Sequence, residues 1–204
     1  MHFVTFRQKD SWPADASARW HAARKEWLAL RGEALERDGW FARLSPDHRR
    51  EYGRRFGRAL EETLDRGLGT CLLRKPENAA LVEQTLRFFD GERYALGDFV
   101  VMPNHVHALV IPMVDRTIGS ILKSWKSYSA RMIHQKEGRS GSFWQHESFD
   151  HIGRNRRQLD RLREYIAENP AKANLGPGEY ILCPAEWEEV RAREPTEPEV
   201  PETF

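Results

Sequence analysis

Val100-Val101-Met102-Pro103-Asn104-His105-Val106-His107-Ala108-Leu109-Val110-Ile111 is the stretch whose reading decides the fold. Two apolar, β-rich runs flank Pro103-Asn104, and such a dipeptide between such runs reads as a tight reversal joining an antiparallel pair. Side chains alternate along a strand, so His105 and His107 project from one face while Val106 faces the opposite layer. Two imidazoles two residues apart are a ready pair of metal ligands, although the same spacing also serves ordinary core or surface histidines.

Working outward, His2-Phe3-Val4-Thr5-Phe6-Arg7 mixes β-branched and aromatic residues and reads as a strand. Trp20, Ala23, Trp27, Leu30 and Ala34 recur at three-and-four spacing, predicting a helix from Ala14 to about Leu35. Further helices are predicted over Pro46 to Asp65, from Pro76 to near Gly91, and from Ile118 to about Gln135. Cys71 to Arg74 reads as a short strand, and Phe143 to His151 as mixed strand and loop. A last helix covers Arg156 to Asn169 and is expected to stop at Pro170. Strands separated by helices of unequal length, with a hairpin-like pair, predict an α+β domain rather than a parallel doubly wound sheet.

Of 204 residues, 40% are hydrophobic and 31% charged, with a net charge of +1. The longest nearly apolar stretch, Ala108 to Val114, is broken by Pro112 and falls short of the roughly 18 to 20 residues of a spanning helix. No membrane partner is therefore expected. Cys71 and Cys183 form no close-spaced motif and the opening residues lack signal-peptide regions, so the expected setting is cytoplasmic. The charge is uneven: Glu179 to Phe204 holds eight acids against Arg191 and Arg193, with five prolines from Pro177 onward. A body over residues 1–176, with a helical insertion at about 14–66, and an acidic, proline-rich tail over 177–204 follow from this.

Tyr165 and Asn169 lie four apart on the last helix and stand one above the other. A phenol, with a pKa of about 10, is a poor nucleophile near neutral pH and needs an activated electrophile. A divalent cation held by two neutral imidazoles and one amide oxygen would activate a phosphodiester, and Asn169 can provide that oxygen one turn from Tyr165.

These residues sit in an ordered string of motifs: Val100 to His107, Ser124-Trp125-Lys126-Ser127, Phe143 to His151, and Tyr165-Ile166-Ala167-Glu168-Asn169-Pro170-Ala171-Lys172-Ala173. The string resembles the HUH single-strand transposases of the IS200-like type with one catalytic tyrosine, in particular the REP-associated tyrosine transposases. That resemblance implies a ferredoxin-like antiparallel sheet with the histidine pair on a central strand and extra N-terminal helices. It also implies Mg2+- or Mn2+-dependent cleavage and rejoining of single-stranded DNA at REP-like palindromic hairpins. Tyr165 is then the nucleophile of a 5′-phosphotyrosine intermediate, and His105, His107 and Asn169 are the metal ligands. The alternative is a domesticated protein that holds hairpin DNA without cutting it. Insertion-sequence relatives act as dimers and the domesticated branch as monomers, so a monomer is expected, with a dimer as the other outcome.

Residues 116 to 172 carry 12 basic side chains against six acidic ones, as a polyanion ligand requires. Lys126, Arg154, Arg156 and Arg157 are candidate phosphate contacts, Lys172 adds charge beside the nucleophile, and Trp125 is a candidate base-stacking platform.

Overall fold

The computed structural model describes residues 1–35, 40–57, 63–64, 66–146, 148–152 and 155–193. The chain divides into two compact units, one formed by Met1–Lys9 with Leu72–Phe204 and the other by Asp10–Cys71.

The first unit is built on five strands: β1 (His2–Arg7), β2 (Tyr94–Val101), β3 (His105–Pro112), β4 (Phe149–Ile152) and β5 (Ile181–Cys183). They lie in the order β4-β1-β3-β2-β5, and every neighbouring pair is antiparallel. The first four strands have the ferredoxin-like order expected of the fold, and β5 extends the sheet beyond β2. The helices of this unit are Pro76–Arg87, Ile118–Glu137, Arg156–Lys172 and Trp187–Ala192. The first two cover one face, with Val82, Leu86, Ile121, Trp125 and Ile133 packed on Val4, Phe6, Val106 and Ala108. The last two cover the other face, with Leu159, Ile166, Trp187 and Val190 packed on Phe3, Val100 and Leu109. Burial on both sides explains why β3 reads as a nearly unbroken apolar run.

One irregularity in β2 matters for the site. The pairing register shifts between Leu96 and Phe99. Ala95 and Val100 belong to one layer, and Leu96, Phe99 and Val101 to the other. A bulge of this kind re-aims side chains, and here both Gly97 and Asp98 address the layer of helix Trp187–Ala192.

Four local expectations are corrected. Leu72–Arg74 forms a 3-10 turn instead of a strand, because the Leu73 amide donates to the Pro103 carbonyl at the β2–β3 reversal, at 3.1 Å. Helix Arg156–Lys172 runs through Pro170, which gives up one internal amide bond, and ends a turn later, with the Leu175 amide donating to the Pro170 carbonyl at 2.9 Å. The packed body also continues past residue 176: β5 pairs with β2, and Trp187 and Val190 are buried. Apolar residues at 181, 182, 187 and 190 override the acidic, proline-rich composition there, and residues 194–204 lie outside the described set.

The fourth correction falls in the second unit, which contains helices Ala14–Ala29, Trp40–Arg43 and Pro46–Tyr52. The first of these stops at Ala29, short of Leu35, as Gly32 takes a left-handed turn at φ +70°. Leu30 is consequently exposed. After Tyr52 the helical path widens into a π-turn, Gly53–Gly57, and part of the stretch up to Asp65 lies outside the described residues. Trp27, Tyr52 and Phe56 are buried around one another, and Trp27 Nε1 donates to Glu51 Oε1 at 2.9 Å. Among the described residues no helix is long and apolar enough to cross a membrane.

For reference below, the helices are α1 (Ala14–Ala29), α2 (Trp40–Arg43), α3 (Pro46–Tyr52), α4 (Pro76–Arg87), α5 (Ile118–Glu137), α6 (Arg156–Lys172) and α7 (Trp187–Ala192).

Candidate active site

Strand register brings the first group of polar side chains together. In the β1–β3 pair, Thr5 lies opposite His107 and Arg7 opposite His105. These four residues are buried in the same sheet layer. Thr5 Oγ1 is 2.7 Å from His107 Nδ1, and Asn104 Oδ1 is 2.7 Å from His105 Nδ1. Since an amide oxygen only accepts, His105 carries its proton on Nδ1 and its Nε2 presents a lone pair. This is the arrangement by which neighbours fix the tautomer and ring direction of metal-binding histidines.

Helix α6 supplies the second group. It starts at Asn155, whose side chain accepts from the Gln158 amide at 2.9 Å, and lays Leu159 and Ile166 into the core. Tyr165 then stands at the rim, half-buried, with its hydroxyl 3.5 Å from His107 Nε2. Its ring meets His107 edge-on at 5.2 Å and Phe3 at 5.7 Å, while Phe3 stacks on His107 at 5.4 Å. Two rings, Phe3 and His107, thus hold the phenol in place. Lys172 Nζ sits 5.3 Å from the Tyr165 ring centroid and also pairs with Glu168 at 2.9 Å.

One turn along, Asn169 is 1% exposed. Neither its Oδ1 nor its Nδ2 has a hydrogen-bond partner among the described residues, and the same holds for His105 Nε2. Buried polar atoms are ordinarily paired, and Asn169 lies beside His105, so these two side chains mark a position able to take an additional partner. Burial pushes the His105 pKa down to about 3; the nearby Asn169 amide opposes that shift and the Arg7 charge adds to it. Burial, reinforced by His105, also lowers His107 well below the usual imidazole range. Both rings are therefore neutral at neutral pH, the form that binds metals. Among the described residues no group of three or more His, Cys, Asp or Glu is placed to hold a metal, so the donors on hand are two imidazoles and an amide. That set fits a divalent cation with positions left for phosphate and water.

The other expected residues fare differently. Trp125 is 2% exposed, wedged between Tyr94 and Phe6, and donates its Nε1–H to Tyr94 Oη at 2.8 Å. It belongs to the core and offers no stacking surface, because its position on α5 faces the sheet. Lys126 is half-buried and donates to the His146 carbonyl at 2.8 Å and to Ser148 Oγ at 3.2 Å. Burial, with the Arg7 charge next, lowers its pKa. Arg156 and Arg157 are exposed in the first turn of α6, whereas Arg154 lies outside the described residues. Thr5, Arg7 and Asn104 were not singled out from the sequence. Strand alternation is a signal that puts Phe3, Thr5 and Arg7 on one face, but their match to the histidines requires the pairing register.

A ferredoxin-like antiparallel sheet thus carries a buried histidine pair, with Tyr165 on the adjacent helix α6. Residues 73–169 match the model of the family described as Transposase IS200 like. The matched stretch takes in His105, His107, Tyr165 and Asn169. A solved structure of a REP-associated tyrosine transposase bound to a REP hairpin aligns with 84% of this chain at 15% identity and a TM-score of 0.42. The alignment takes in 66% of that chain, so the present chain spans just under two thirds of its length. No curated protein matches.

Proposed function

We propose that this protein is a metal-dependent single-strand DNA transposase that cleaves and rejoins DNA at REP-like hairpins through a 5′-phosphotyrosine. The observation that carries the reading is the Tyr165 hydroxyl 3.5 Å from His107 Nε2, with the buried His105 ring 4.7 Å from that of His107 and Asn169 beside His105. In the step, a bond forms between Tyr165 Oη and phosphorus, and the bond from phosphorus to the 3′ oxygen breaks. The phenolic proton leaves to solvent, and the departing oxygen takes up a proton as a 3′-hydroxyl. Mg2+ or Mn2+, when held by His105, His107 and Asn169, would neutralise charge developing on the phosphate. Phe3 and His107 restrict the phenol to one orientation, which reduces the entropy lost on reaching the transition state. Lys172 near the ring, and Lys126, Arg156 and Arg157, add positive charge for the DNA backbone.

The test is incubation of the full chain with single-stranded oligonucleotides carrying palindromes from the host gene's flanks, plus Mn2+, followed by a denaturing gel. A covalent DNA adduct should form, disappear in Tyr165→Phe, and leave hairpin binding intact in that variant. Tight hairpin binding with no adduct on any palindrome would instead identify a non-cleaving hairpin-binding protein. An adduct that survives Tyr165→Phe would overturn the assignment of the nucleophile.

A further inference from the structure

We propose that Asp98 is a positioning residue for Tyr165: the β2 bulge turns its carboxylate into the helix layer, where it anchors α6 through Arg163 and ties it to the C-terminal segment through Trp187 and Ala185. The inference rests on the functional reading above and extends it to residues that lie outside the histidine and tyrosine motifs.

Asp98 is buried, with a side chain only 6% exposed. Its Oδ2 accepts from Arg163 Nε at 2.9 Å and from Trp187 Nε1, and its Oδ1 accepts from the Ala185 amide at 3.2 Å. Arg163 completes a closed circuit by donating Nη2–H to the Ala185 carbonyl at 3.2 Å. One carboxylate therefore joins β2, α6 and the approach to α7. The bulge makes this possible, since regular alternation would send either Gly97 or Asp98 to the opposite layer. Gly97 is equally specific: a Cβ there would lie 2.7 Å from Trp187 Cζ2 and 3.1 Å from Leu109 Cβ. The missing side chain admits the indole that reaches Asp98.

Arg163 precedes Tyr165 by two residues on a helix that also carries Asn169. A helix moves as a rigid rod with a rise of about 1.5 Å per residue, so fixing residue 163 against β2 fixes the height of both site residues over β3. An ion pair between a buried carboxylate and a partly exposed guanidinium contributes little net stability compared with apolar packing, and its best-attested use is to specify one register. Leu159 and Ile166 hold α6 on the sheet without specifying its position along the axis, because apolar contacts are not directional. Asp98 supplies the directional contact.

The test compares Asp98→Asn, Arg163→Met and Arg163→Lys in the full chain, with tyrosines replaced by 3-fluorotyrosine for 19F NMR. Tyr165→Phe assigns the Tyr165 signal. Adduct formation at saturating hairpin and Mn2+ is expected to fall on the order of 10²-fold in Asp98→Asn and Arg163→Met, with hairpin Kd unchanged and most of the rate recovered in Arg163→Lys. Broadening of the Tyr165 19F signal by Mn2+ should weaken in the first two variants and return in the third. Should Asp98→Asn fail to fold by circular dichroism, the partly exposed Arg163 carries the comparison. Folded Arg163→Met with wild-type rate and wild-type broadening would overturn the inference. If wild type forms no adduct, the transposase reading fails by itself and the 19F comparison still decides whether Asp98 and Arg163 place the phenol. Absence of any Mn2+ broadening in wild type would remove both.

Discussion

Tyr165 Oη stands 3.5 Å from Nε2 of His107, on the side of the imidazole opposite the one engaged by Thr5. The two residues are 58 positions apart and meet because α6 packs across β3. That contact links a nucleophile to a ring held neutral by burial, and the expected behaviour of the molecule follows from how the two are supported.

Acid should destabilise the native state through the histidine pair. His105 falls from 6.5 in the unfolded chain to about 3 in the folded one, and His107 is shifted in the same direction. Between those values the unfolded chain binds protons that the native state refuses. Their stabilising contribution is thus complete above pH 6.5 and is lost as pH falls toward the folded value. Each pH unit in that interval costs up to about 1.4 kcal/mol per histidine. Melting temperatures from pH 7 to pH 4 should fall more steeply in wild type than in the His105→Gln/His107→Gln double variant. Parallel slopes would contradict the assignment.

Trp125 should matter for stability and not for DNA. Truncation to Ala removes a buried indole and deprives the Tyr94 hydroxyl of its donor, so Trp125→Ala is expected to lower unfolding stability by about 3 to 5 kcal/mol. Urea unfolding measures this. The hairpin affinity of the folded fraction, from a filter-binding titration at a temperature where the variant is native, should match wild type.

Arg156 and Arg157 should act on binding through charge alone. Both are exposed at the start of α6. Replacing both with Ala should reduce the slope of log K against log salt by about 0.7 to 0.9 for each phosphate no longer neutralised. The adduct rate at saturating hairpin should stay at the wild-type level. A salt slope identical to wild type would exclude these arginines from the DNA backbone interface.

Gly97→Ala should be costly despite its small size. The added methyl would meet the Trp187 ring and Leu109 Cβ inside contact distance. Overpacking of this kind costs about 1 to 3 kcal/mol. Combining Gly97→Ala with Trp187→Leu should restore part of the stability in a chemical unfolding series, whereas additive destabilisation would show that the clash lies elsewhere.

Alternation and helical spacing were enough to read His105 and His107 as a same-face pair, Tyr165 and Asn169 as neighbours one turn apart, and the antiparallel hairpin that contains the histidines. Composition misjudged the segment after 176, where a few apolar residues dock on β2 among many acids. The aromatic at 125 was read as a DNA platform because indoles serve both roles, and only the position of α5 against the sheet separates them.

The sequence by itself determined the local geometry: which side chains share a strand face or a helix turn, since these follow from backbone periods of 2 and 3.6. Tertiary structure alone decided that Thr5 engages His107, that Asn169 is buried beside His105, and that Asp98 reaches Arg163 and Trp187. Those contacts depend on strand register and on a one-residue bulge. Register and bulges are set by the packing of residues scores of positions apart, which no local period encodes.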